Sequence, residues 1–119
     1  MIAAMALAAA LQATAIKWDS LAPLPYRAPP IVTAEMQAFV QHEVRVSKCP
    51  AAGVLRVDVA MLIDESGEVR TAVPRAISCA SVEQYVAALV AEFARGNLLP
   101  RLGAGEQWYR ASLSFTLSR

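Results

Sequence analysis

His42, Cys49 and Cys79 are the side chains of this 119-residue chain best suited to nucleophilic or metal chemistry. One histidine and two cysteines cannot assemble the four soft ligands of a zinc site, so no metal is expected. A Ser/His/Asp hydrolase would have to use His42. Its neighbour Glu43 is adjacent in a helical pattern, and such neighbours do not face each other. Nothing marks a serine as nucleophile, so His42 reads as an ordinary surface or half-buried histidine. Asp58 and Asp64 lie on one face of a strand pattern, ~20 Å apart, which is too far for paired-carboxylate catalysis. Both read as solvated. Gly103 and Gly105 follow no strand that leads into a helix, so they form no phosphate loop. Eleven Lys and Arg against ten Asp and Glu leave a net charge of +1, and the arginines form no stripe. That balance excludes a nucleic-acid glove. A chain 56% hydrophobic and 18% charged packs as one globular domain. These residues predict a binding domain, not an enzyme, with no cofactor.

The elements that would carry such a domain are legible by period. Thr33 stands as an N-cap before Met36, Phe39, Val40 and Val44, with Gln37, Gln41 and Glu43 between them. Their spacing predicts an amphipathic helix over about Ala34 to Val46. Leu55 to Asp64 alternates, with Leu55, Val57, Val59, Met61 and Ile63 on one side, and predicts a strand with one buried face. The turn from Asp64 to Gly67 leads into a second strand, about Glu68 to Ile77, with Val69, Val73 and Ile77 on one face. Pro74 cannot donate to a neighbour, so this strand belongs at a sheet edge. Ser81 and Gln84 form a capping box for a second helix. Val82, Tyr85, Val86, Leu89, Val90 and Phe93 give it a continuous core stripe, and Gly96 ends it. Trp108 to Leu117 alternates again, with Tyr109, Ala111, Leu113, Phe115 and Leu117 inward. The expected fold is α+β with topology α-β-β-α-β. Its sheet is three-stranded and antiparallel, in the order 2-1-3, with both helices on one face.

Residues 1–15 are uncharged and mostly apolar, with Gln12 and Thr14 intruding near the end, and Ala13-Thr14-Ala15 matches the cleavage signature of a signal peptide. The run is too short to span a membrane, so no stable span is expected. Export to the periplasm with cleavage after Ala15 is the expectation. An uncleaved anchor and a buried N-terminal helix are the alternatives. Residues 16–32, which include Pro23, Pro25, Pro29 and Pro30, read as an extended, partly disordered lead-in. Residues 33–119 form the domain proper.

An oxidising compartment permits a disulfide. The hairpin brings Cys49, before the first strand, near Cys79, after the second. A Cys49–Cys79 bridge is therefore expected, with two buried free thiols as the alternative.

Several pieces occur together in order. They are the hydrophobic strand, the turn with Asp64, Gly67 and Val69, the helix with Ala87, Ala88 and Ala91, then Pro100, and a last strand ending in Phe115 and Leu117. From Ala34 to Leu117 the chain resembles the C-terminal domains of the TonB/TolA superfamily, on the TolA-like side. The resemblance implies a periplasmic binding domain that engages periplasmic or outer-membrane proteins, often by strand addition, as an accessory of cell-envelope transport or integrity.

The edge of the last strand is where such a partner would add. Its inward residues are committed to the core, so main-chain groups would recognise the partner, with Trp108, Arg110, Ser112 and Ser114 offering side chains on the open face. A homodimer through the same edge, and a small-ligand or enzymatic domain on a similar fold, are the rival readings.

Overall fold

A computed structural model of the chain describes residues 16–118. The expected signal peptide, residues 1–15, lies outside the described residues. Six elements follow a short 3-10 turn at Trp18–Ser20: β1 (Ala22–Pro23), α1 (Ala34–Val46), β2 (Gly53–Ile63), β3 (Val69–Pro74), α2 (Ala80–Ala94) and β4 (Gln107–Leu117).

Thr33 starts α1 as its type predicts, its hydroxyl accepting from the Met36 N–H at 3.2 Å. α1 turns Val40 and Val44 onto the sheet, and α2 adds Val82, Val86, Ala87, Val90 and Ala94. Beneath them lie Val57, Val59, Met61 and Ile63 of β2 and the odd-numbered residues Tyr109 to Leu117 of β4. Both helices thus cover the same sheet face. β2 and β4 pair antiparallel along their whole length, from Gly53 opposite Leu117 to Ile63 opposite Gln107. The turn after β2 is closed by the Asp64 side chain, which accepts from the N–H groups of Ser66 (2.9 Å) and Glu68 (3.0 Å). Gly67 supplies the left-handed residue there, at φ +85°.

The sheet is not the expected three-stranded antiparallel one. It has four strands in the order β1-β4-β2-β3, and β1 runs parallel to β4, with Ala22 opposite Tyr109 and Pro23 opposite Arg110. The topology is therefore β-α-β-β-α-β, within the α+β class. The extra strand comes from the Pro-rich lead-in. A parallel neighbour bonds to Arg110 through the residues flanking Pro23, so the missing proline donor costs nothing there. The N–H of Leu24 donates to the Arg110 carbonyl at 2.9 Å.

The lead-in is a strap, docked on both sides of β4. On the open sheet face the Arg110 guanidinium donates to the Trp18 carbonyl (3.4 Å), and the Arg75 guanidinium carbon lies 5.5 Å from the centre of the Trp18 ring. The strap then passes the β4 edge as β1, and Leu24 enters the core on the helix side. Beyond it, Arg27 N–H donates to the Asn97 carbonyl, Leu99 N–H to the Pro25 carbonyl, and the Asn97 amide bonds both main-chain groups of Ala28.

Two local expectations change as well. A one-residue bulge at Arg70 shifts the β2–β3 register, so Ile63 faces Val69 while Leu62 faces Thr71. Val73 therefore pairs with Ala60 on the open face, and Ala72 packs against the core in its place. α2 begins at Ala80, and Ser81 and Gln84 form no capping box. The carboxylate of Glu83 accepts from the N–H groups of Ile77 and Cys79 instead, at 3.1 and 3.0 Å. Cys79 is held at that position by its bond to Cys49, with Cα atoms 5.3 Å apart. β3 forms a border of the sheet, Pro74 at its end.

Candidate partner-binding edge

Residues of a strand send their main-chain groups alternately to its two sides. The Arg110 carbonyl accepts from Leu24, so Arg110, Ser112, Ser114 and Thr116 turn their N–H and C=O groups away from β2. This is the edge on which the sequence places Trp108, Arg110, Ser112 and Ser114. It is not free from Trp108 to Leu117. β1 covers it at Tyr109 and Arg110. At the other end two glutamines of α1 cover it. The Gln37 side-chain amide donates to the Thr116 carbonyl and accepts from the Thr116 N–H (3.1 Å). The Gln41 amide donates to the Ser118 carbonyl (3.0 Å) and accepts from the Ser118 N–H (2.8 Å). Between the two covers, the main-chain groups of Ser112 and Ser114 face outward with no partner among the described residues.

The side chains at this edge are placed differently from one another. Trp108 is half-buried opposite Leu62 on the open face. Arg110 reaches the strap. Ser114 is exposed. Ser112 is taken up by a polar cluster that crosses the β2–β4 ladder. Its hydroxyl donates to Asp58 Oδ1 at 2.5 Å, Arg56 Nε donates to the same oxygen at 2.9 Å, and Arg75 lies 3.6 Å from Oδ2. Asp58 is 13% exposed, so it is not the solvated carboxylate its alternation suggests. Desolvation pushes its pKa up. The hydrogen bonds from Ser112 and Arg56 and the charges of Arg56 and Arg110 outweigh that, and hold it below the usual carboxylate range. The cluster ties β2 to β4 and to the end of β3 on the open sheet face, with Asp58 accepting from Ser112 and Arg56 and paired with Arg75.

Elsewhere, a shallow hollow of about 270 Å³ opens between the hairpin turn and the loop after α2, lined in part by Arg27, Glu65, Leu99 and Arg101. Arg101 is already used, donating to the Asp64 carbonyl and to the Tyr109 hydroxyl. His42 is exposed on α1. Among the described residues no group of His, Cys, Asp and Glu could hold a metal ion, and no helix is long and apolar enough to cross a membrane.

The covers on the edge escape a reading by period. β1 is too short to show one, and Gln37 and Gln41 read as polar filler between core positions. Their i, i+4 spacing is the one available signal.

Comparisons of the chain with protein-family models, curated proteins and solved structures found no match.

Proposed function

We propose that this chain is a non-catalytic protein-binding module of the bacterial periplasm, of the TonB/TolA C-terminal type, which captures an extended segment of a periplasmic or outer-membrane protein as an added strand on β4. The observation that carries this reading is the window at Ser112 and Ser114, where main-chain donors and acceptors point out of the sheet without partners among the described residues. The Cys49–Cys79 bridge suits an oxidising compartment. Main-chain pairing tolerates many partner sequences, so specificity is modest.

Ser114→Pro tests the reading. It removes an outward N–H at an exposed position without touching the Asp58 cluster, which Ser112→Pro would disturb. Partners crosslinked to the wild-type chain in a periplasmic extract should be lost from a folded Ser114→Pro variant. If the same partners remain crosslinked, the edge is not their site.

A further inference from the structure

The window at Ser112 and Ser114 spans ~7 Å, shorter than the 5–6 residues of an ordinary strand. A strand added there would run into β1 at one end or the α1 glutamines at the other. One cover has to yield, and the two are built very differently.

The strap is anchored at several points. Releasing β1 would draw Leu24, 5% exposed, out of the core. It would also pull on the Asn97–Ala28 bonds and on the Trp18–Arg75 stack. Gln37 and Gln41 hold their end of the edge by side-chain amides alone. A rotation about their side-chain bonds frees Thr116 and Ser118, both exposed, without uncovering a core residue.

The geometry of these two glutamines is that of a missing strand. Four residues along a helix advance ~6 Å, and two residues along a strand advance ~6.7 Å. Residues 37 and 41 therefore keep step with residues 116 and 118. Each amide offers one acceptor and one donor to one residue's N–H and C=O, as a neighbouring backbone would. We infer that Gln37 and Gln41 are a surrogate strand, a placeholder that a partner's main chain replaces. Resting on the strand-addition reading, this extends the binding edge to Ser112, Ser114, Thr116 and Ser118. It also makes α1 the element that controls access. The exchange trades hydrogen bonds of one kind for bonds of the same kind, so the placeholder lowers partner affinity without blocking capture.

The test is calorimetric titration of the full chain with a synthetic peptide copying residues 107–118, for the wild type and for Gln37→Ala/Gln41→Ala. The paired variant should bind about tenfold more tightly, since the peptide no longer competes with the placeholder. Adding Ser114→Pro should remove binding in both backgrounds. If both proteins bind equally and both lose binding with Ser114→Pro, the placeholder is overturned and strand addition stands. Main-chain pairing tolerates many sequences, so this peptide stands in for the partner's segment; if neither protein binds it, strand addition at this edge is itself overturned, and the placeholder with it. Should the paired alanine variant fail to fold, Gln37→Glu/Gln41→Glu replaces it. It keeps the side-chain length, loses the donor to each carbonyl, and should shift affinity in the same direction.

Discussion

The N–H of Leu24 donates to the carbonyl of Arg110 at 2.9 Å, while the Leu24 side chain lies buried on the helix side of the sheet. One residue thus closes the last strand by its backbone and fills the core by its side chain. Leu24→Ala should lower stability by about 2–4 kcal/mol, from lost burial and the cavity left behind. Urea denaturation checks this. A loss below about 0.5 kcal/mol would mean that the strap is not part of the folded core.

The bridge between Cys49 and Cys79 closes a loop of 30 residues, joining the end of α1 to the start of α2. On the chain-entropy model it contributes roughly 3–4 kcal/mol. Reduction should lower the melting temperature by more than about 10 °C. Cys49→Ala/Cys79→Ala should melt where the reduced wild type does. A reduced protein that melts unchanged contradicts the assignment.

Asp58 contributes to the acid limb of stability. Its pKa in the folded protein is depressed, so its contribution is present above the unfolded value of ~3.9 and is lost as the pH falls through the lower folded value. Asp58→Asn should be less stable than the wild type at pH 7, and the gap should close on acidification below about pH 4. Ser112→Ala removes one of the donors that lower this pKa, so the Asp58 carboxyl should titrate higher by NMR.

Tyr26 gives the opposite limb. Its hydroxyl is buried without a hydrogen-bond partner among the described residues, and burial pushes its pKa up to about 12. The neutral phenol is therefore favoured in the folded protein. Its contribution is complete below the unfolded value of ~10 and is lost as the pH rises from there to about 12. Tyr26→Phe removes an unpaired polar group, so it should match or exceed the wild type at pH 7, by up to about 1 kcal/mol. It should also lose less stability between pH 10 and 12. A large loss at pH 7 would show that the hydroxyl has a partner.

Much of this architecture is written in local patterns. Thr33 and the spacing of Met36, Val40 and Val44 mark α1 to the residue, and the alternation of β2 and β4 assigns their buried faces. Pro74 identifies a border strand from a single missing donor. Local pattern and structure part where a period is interrupted or where pairing is remote. Arg70 adds one residue to β3 and so moves Val73 to the other face, which no strict two-residue period can show. Ala22 and Pro23 are both exposed, and they become a strand only because Arg110, far away in the chain, has an open carbonyl. The glutamines of α1 acquire meaning only once the helix lies beside the end of β4. The candidate edge was therefore legible as a strand, and its covers were not.

Residue-resolved amide exchange tests the central claim most directly. In the full chain alone, the amides of Ser112 and Ser114 should exchange quickly, while those of Ala111 and Leu113, bonded toward β2, should be protected. With the peptide copying residues 107–118 at saturation, protection should appear at Ser112 and Ser114. Ser112 and Ser114 amides that stay fast in the bound state, with new protection on β3 or elsewhere, would contradict the account.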